Sequence, residues 1–171
     1  DRRFGAEGLC DLQLGADEKV SVILSQQEIG DKKFTVMVTD HGVIKKVALE
    51  DFANIRRSGL IAVKLKGDDN LSWVKPSTGK DEIMLVTSGG QAIRFKETQI
   101  RAMGRNAAGV HGLRIKGKDQ VIGMEVLPPK DNGQVLVVMG NGFGKRTSLS
   151  AYKVQGRGGS GIKTAKVTDK T

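Results

Sequence analysis

The sequence predicts an all-β protein built from repeated four-stranded antiparallel units of roughly fifty residues. Three observations carry that expectation. Gly8, Gly59, Gly109 and Gly161 open similar strings and stand 51, 50 and 52 residues apart. A second set, Gly42, Gly90 and Gly142, recurs at intervals of 48 and 52, each inside an apolar-rich alternating run. No window sustains the 3.6-residue apolar period of a long helix.

Each unit centres on a hairpin. "KFTVMVTDHGVIKKVAL" turns at His-Gly, "EIMLVTSGGQAIRF" at Gly-Gly, and "QVLVVMGNGFGKRTSL" at Asn-Gly, the strongest short hairpin signal of the three. An outer strand is expected before each hairpin, at "KVSVIL", "NLSWVK" and "QVIGMEVL". Another is expected after it, at "LIAVKL", "HGLRIK" and "IKTAKV". "LEDFANI" and "KETQIRAM" each allow one helical turn. Four short antiparallel strands per unit make a propeller-type blade. The whole chain, 1–171, reads as part of one domain with units at about 1–15 (partial), 16–66, 67–116 and 117–171, so about three units are present.

Composition narrows the partner. The 171 residues carry 28 Lys+Arg against 19 Asp+Glu, a formal net charge of +9. The excess sits in the second half: residues 1–30 sum to −3, 31–80 to +4 and 81–171 to +8. Such a balance suits a polyanion, nucleic acid before an acidic membrane surface. Aromatic residues are 4% of the chain, too few for the stacking platforms that hold single strands, so duplex phosphates are the better match. Cys10 is alone, which excludes a disulfide framework and a thiolate metal site and fits a reducing cytoplasm. No run approaches the roughly 20 apolar residues of a membrane-spanning helix, and no membrane role is expected. The chain opens on Asp1 rather than a start methionine.

The last strand of each unit shows where the cations go. Val63 and Leu65 alternate with Lys64 and Lys66, Leu113 and Ile115 with Arg114 and Lys116, and Ala165 and Val167 flank Lys166. A period of two sends the apolar residues to the core and the cations to solvent. Repetition then stacks cationic strips along one rim.

"VQGRGGSGIKTAKV", Val154 to Val167, holds four glycines and three cations without a carboxylate. Gly156, Gly158 and Gly161 satisfy G-x-G-x-x-G, yet a β-branched alternating run follows where a dinucleotide site needs a helix. "GNGFGKRT" is no Walker loop either, because the leading glycine position is Met139 and Arg146 follows Lys145. His41 and His111 share no carboxylate pattern, Asp68, Asp69 and Asp119 occupy polar turns, and Tyr152 reads as a packing residue. No catalytic residue, metal ligand or cofactor site is expected in this chain.

"GQAIRFKETQIRAMGRNAAGVHGLRIKGKDQVIGM" and "NGFGKRTSLSAYKVQGRGGSGIKTAKVTD" resemble the C-terminal domain family of DNA gyrase A subunits, and "GVIKKVALEDFANIRRSGLIAVKL" is similar to the unit that precedes them there. The likeness covers essentially the whole chain. The topoisomerase IV C subunit is the near relative. The resemblance implies a β-pinwheel, whose propeller-like blades exchange a strand with their neighbours. It also implies a non-catalytic domain that bends or wraps duplex DNA around a basic rim, without strong sequence preference, to support negative supercoiling by a type IIA topoisomerase. ATP and Mg would be used elsewhere in the holoenzyme. The partners would be duplex DNA, the gyrase B subunit, and the N-terminal part of the polypeptide to which such a domain belongs, in the cytoplasm on the chromosome. The family's box, Q-[RK]-R-G-G-[RK]-G, is matched by Gln155, Arg157, Gly158, Gly159 and Gly161; Gly156 and Ser160 depart from it, each removing a cation. The family places its main box in the first blade, whereas complete units precede this one.

The expected DNA-binding residues are therefore Lys45, Lys46, Arg56, Arg57, Lys64, Lys66, Arg94, Lys96, Arg101, Arg105, Arg114, Lys116, Lys145, Arg146, Lys163 and Lys166, with the five residues of the box. Glycine backbone can approach phosphates with no Cβ in the way, and Arg157 adds a charge-assisted donor. Two alternatives stay open: DNA segment capture as in topoisomerase IV, and a propeller-like module for docking acidic proteins. For the box itself, the competing reading is a tight turn between blades.

Overall fold

The computed structural model of the chain describes residue 16 and residues 19–54 and 59–168. Its strands are β1 (Phe34–Thr39), β2 (Val43–Ala48), β3 (Leu71–Ser77), β4 (Glu82–Thr87), β5 (Gln91–Lys96), β6 (Val110–His111), β7 (Val121–Leu127), β8 (Gln134–Val138), β9 (Gly144–Ser148), β10 (Val154–Gln155) and β11 (Ile162–Lys163). One short helix, α1 (Gln26–Ile29), stands on a capping box. Ser25 accepts from the Glu28 N–H at 3.2 Å, and Glu28 accepts from the Ser25 N–H at 2.7 Å. A 3-10 turn follows the second strand of every hairpin: Leu49–Phe52, Glu97–Gln99 and Leu149–Ala151. The first two fall where the sequence allowed a helical turn.

The three expected hairpins form. β1 pairs with β2 from Phe34↔Ala48 to Val38↔Ile44, β4 with β5 from Glu82↔Lys96 to Val86↔Ala92, and β8 with β9 from Gln134↔Ser148 to Val138↔Gly144. Their flanks differ from the expectation. The first sheet runs β3-β1-β2-β6. In the second, β7 lies beside β4, and both β10 and β11 lie beside β5. Each of these hairpins therefore takes its outer strands from the unit that follows it in sequence. β8–β9 stands as a two-stranded sheet. Correspondingly, residues 19–24 and 60–65, expected as strands, are not strands, and the strands expected at 111–116 and 162–167 shrink to β6 and β11. Their repeat positions pair with the hairpin of a preceding unit, and the described residues contain none.

Burial follows from that exchange. In β1 five of six residues are buried, and in β5 four of six, so the alternation expected of a sheet with one wet face is lost there. β8 keeps it, alternating exposed and half-buried along Gln134–Val138. One core cluster joins the first two sheets through Val36, Val38, Ile44, Ile83, Leu85, Ile93, Phe95, Ile100, Leu113, Val121 and Met124. A smaller one, Met84, Ala92, Leu149 and Tyr152, seats the third hairpin on the second sheet. The fold class is all-β and pinwheel-like, as predicted.

Candidate nucleic-acid interface

The expected cations divide into three groups. Lys64, Lys66, Lys96, Arg101, Arg114, Lys116, Lys145, Arg146, Lys163 and Lys166 are exposed, and Arg105 is half-buried. Lys64, Arg114 and Lys166 stand at equivalent places in successive units, as do Lys66 and Lys116. Arg56 and Arg57 lie outside the described residues. Lys45, Lys46 and Arg94 are the corrections: they are 1%, 6% and 7% exposed, because β2 and β5 are covered on both faces.

Each buried cation has its own partners. Lys45 donates from Nζ to the carbonyls of Ala62, at 2.8 Å, and Arg105. Burial, with the nearby Arg105 charge, pushes the Lys45 ammonium below its ordinary pKa. Lys46 lies 3.5 Å from Glu97 and 5.0 Å from the centroid of the Phe34 ring. Glu97 is fully buried and also accepts from the Ser77 hydroxyl at 2.8 Å and from the Gly79 and Asp81 N–H groups at 3.1 Å. Arg94 binds Glu82 at 2.5 Å and donates to the carbonyls of Leu149 and Tyr152 at 3.0 and 3.4 Å. A buried ion pair with all these hydrogen bonds has no spare charge for a phosphate.

The glycine box is sewn to the second sheet. β10 runs parallel to β5 at Val154↔Arg94 and β11 antiparallel at Ile162↔Ala92, so residues 156–161 span the gap between them. The Gly158 N–H donates to the Gly112 carbonyl at 2.8 Å, and the Arg114 N–H donates to the Gly159 carbonyl at 2.9 Å. Gln99 clamps the near side: its Nε2 donates to the Gln155 carbonyl at 3.2 Å, and its Oε1 accepts from the Arg157 N–H at 2.7 Å. Arg157 is half-buried, and its guanidinium donates to the carbonyls of Gln99 and His111. Gly161 has φ +70°, and a Cβ there would stand 2.3 Å from the Ala92 carbonyl oxygen. Only glycine fits that approach.

A second loop of the same design sits one unit earlier. "GRNAAG", 104–109, lies between a parallel bridge, Lys46↔Ala102, and the antiparallel pairing of β6 with β2. Gly109 repeats the role of Gly161: φ is +94°, and a Cβ would meet the Ile44 carbonyl oxygen at 2.7 Å. The signal was in the sequence, since Gly104-Arg105 precedes Gly156-Arg157 by the same 52 residues that separate Gly109 from Gly161.

The carboxylates near the rim serve turns. Asp119 accepts from the Thr87 and Ser88 hydroxyls at 2.7 and 2.8 Å and from the Gly89 N–H at 2.6 Å, locking the β4–β5 turn of the preceding unit. Asp69 does the same one unit earlier, accepting from the His41 N–H at 3.0 Å. Tyr152 is buried, with its hydroxyl on Thr164, and packs as expected. Among the described residues, no group of three or more His, Cys, Asp or Glu side chains could hold a metal ion, and no helix is long and apolar enough to cross a membrane. The exposed groups offer cations, chemistry that holds an anion.

The family model described as "DNA gyrase C-terminal domain, beta-propeller" matches residues 34–78, 81–128 and 140–170. The DNA gyrase A subunits of Staphylococcus epidermidis and Staphylococcus aureus are 38% identical over 160 residues, 93% of this chain. The chain spans 18% of the length of those relatives. Among solved structures, a DNA gyrase A C-terminal domain superposes with a TM-score of 0.80 at 25% identity, covering 93% of this chain and 53% of that one. The C-terminal domain of a DNA topoisomerase IV gives 0.78 at 27%, covering 88% of this chain and 46% of that one.

Proposed function

The chain belongs to the DNA gyrase C-terminal domain family, and from that premise we propose that it binds duplex DNA along its outer rim and bends it without reading sequence. The observation that carries this is the recurrence of exposed cations on the same segment of successive units: Lys64 and Lys66, Arg114 and Lys116, then Lys166, with Lys163 beside it. Cations spaced along one rim follow a phosphate track rather than a base edge. Bending presents a DNA segment to the catalytic part of a type IIA topoisomerase, so the chain's contribution to supercoiling is positional. The reaction, its ATP and its Mg belong to other parts of that assembly, the gyrase B subunit and the N-terminal part of the gyrase A polypeptide. The setting is the chromosome in the cytoplasm.

The test is topological. A nicked plasmid is incubated with the chain, sealed by ligase and stripped of protein. Bending into a wrapped path leaves a shift in linking number; a docking module for acidic proteins leaves none. If about six phosphates are neutralised, log K against log salt falls with a slope near −5, at ~0.9 per phosphate. A slope near zero, or tight preference for one short site, refutes the proposal.

A further inference from the structure

Both histidines of the chain line one groove. His41 sits in the β1–β2 turn and His111 ends β6; the other lining residues are Arg114, Ile115, Gly117 and Gly158, with no carboxylate among them. Three successive units build this groove. The Gly112 N–H donates to the Gly42 carbonyl at 2.8 Å and holds the segment after β6 against the first hairpin turn. The Gly158 N–H donates to the Gly112 carbonyl at 2.8 Å and brings in the glycine box. His41, His111 and Arg114 are all exposed.

The repeat shows what His111 replaces. β6 ends at His111, opposite Val43 of β2; one unit on, β11 ends at Lys163, opposite Gln91 of β5. Arg114 corresponds to Lys166 in the same way, each pair standing 52 residues apart. A rim place filled by a permanent ammonium in one unit is therefore filled by an imidazole in the unit before. Histidine is the side chain whose charge ordinarily changes between about pH 5 and 8.

The surrounding charges favour an anion in the groove. Asp69, 8% exposed, lies 3.7 Å from His41 Nδ1 and accepts from the His41 and Asn70 N–H groups, both at 3.0 Å. Asp40, next to His41, accepts from the Ser72 hydroxyl. His111 shares an adjoining groove with Lys64, Lys66 and Asp69, and its carbonyl receives the Arg157 guanidinium. With both imidazoles charged, three cations line a groove that has no carboxylate of its own. Like charges so placed resist one another until an anion sits among them.

We propose that this groove holds a phosphate of duplex DNA among Arg114 and the imidazolium forms of His41 and His111, so that DNA binding tightens as pH falls through neutrality. The proposal rests on the reading that the rim takes duplex DNA, and adds a titratable contact to it. The coupling is reciprocal: each proton strengthens the phosphate contact, and bound phosphate favours the proton by the same factor. The chain takes up protons as it binds.

The test varies pH and salt together. Anisotropy of a labelled mixed-sequence duplex is expected to report binding roughly tenfold tighter at about pH 6 than at about pH 8. The salt slope is expected to steepen at the lower pH by about 0.9 for each phosphate gained. His41→Gln with His111→Gln, at exposed positions, is expected to keep the melting temperature and lose most of the pH difference. His111→Lys, which installs the side chain of the following unit, is expected to hold binding tight at both pH values. In the unaltered chain the histidine ring C2–H resonances are expected to titrate at higher pH with duplex than without. Inorganic phosphate, at equal phosphate concentration, is expected to move them less. A chain that binds duplex at neither pH overturns the rim reading itself. Duplex binding equally tight at both pH values overturns this inference alone. So does a pH difference kept by the double variant, or resonances that ignore the duplex or follow free phosphate as far.

Discussion

Arg94 crosses the boundary between two units to donate to the main-chain carbonyl of Leu149 at 3.0 Å, while its other face is held by Glu82. Lys46 makes the same crossing to the Glu97 carbonyl at 3.5 Å. These side chains hold successive units together. Arg94→Ala leaves Glu82 buried and unpaired, and is expected to cost about 3–5 kcal/mol of stability. Lys116→Ala, on the exposed rim, is expected to change stability by no more than about 0.5 kcal/mol. Urea unfolding of the two variants separates the seam cation from the rim cation.

DNA affinity is expected to show the reverse order. Replacing Lys64, Lys66, Arg114 and Lys116 by alanine removes exposed charges from two consecutive units. The salt slope is expected to flatten by about 0.9 for each phosphate no longer neutralised, with melting temperature held. A slope unchanged in the fourfold variant removes these residues from the interface. Lys45→Ala is expected to leave the slope intact, since its ammonium is bound to the Ala62 and Arg105 carbonyls.

The hairpins, the period and the rim cations were legible because each is local: turn glycines and alternation fix them within a dozen residues. The strand exchange was not read from the units themselves. "LIAVKL" and "HGLRIK" have the same strand pattern, yet residues 60–65 form no strand and of the second only His111 does, in β6 against β2. Expecting Lys45, Lys46 and Arg94 at the DNA failed because cations suggest solvent, whereas β2 and β5 are covered on both faces. Lys46 and Arg94 could have been suspected from their shared repeat position, but their partners Glu97 and Glu82 lie 51 and 12 residues away with no motif linking them.

Stability is expected to fall on acidification through Asp119. Burial alone would raise its pKa, but hydrogen bonds from Thr87, Gly89, Ser88 and Gln120 outweigh it and hold the carboxyl below its ordinary value of 3.8. A folded pKa below the unfolded one gives stability that is present in full above the unfolded value and is lost as pH falls through the folded one. Wild type is expected to lose stability below about pH 4 more steeply than Asp119→Asn, measured by urea midpoint against pH. Parallel curves would assign the acid sensitivity to other carboxylates.

Arg157 tests whether the box touches DNA. Its donors engage the Gln99 and His111 carbonyls, so Arg157→Ala is expected to cost about 1–2 kcal/mol of stability as well as any DNA affinity. Arg157→Lys keeps the charge but loses the fork that reaches both carbonyls. If the box holds phosphate, the lysine variant recovers DNA affinity more fully than stability. If the box is only a turn, DNA affinity of the folded protein is the same in all three.

The glycines of 156–161 divide into Gly158 and Gly161, held at positive φ, and Gly156 and Gly159, which are not. Gly161→Ala places a Cβ 2.3 Å from the Ala92 carbonyl oxygen at φ +70°, and β5 is too deeply packed to move aside. The cost is expected to exceed the roughly 1–3 kcal/mol of backbone strain alone. Amide exchange at Thr164, whose N–H donates to the Gly90 carbonyl at 2.8 Å, is expected to quicken as β11 loosens. Gly156 is different: nothing lies within 4 Å of its Cβ position, and it is not among the positive-φ glycines. Gly156→Ala is therefore expected to be neutral, or stabilising by about 0.4–1 kcal/mol through the unfolded chain. That open position also accepts a long side chain, so Gly156→Arg with the exposed Ser160→Lys restores both cations that the family's box carries without disturbing the fold. If the loop lies on the DNA path, the double variant binds more tightly and fixes a larger linking-number change in the nick-and-seal assay. A higher affinity with an unchanged linking number would leave the loop off the path, and the bend would rest on the rim cations alone.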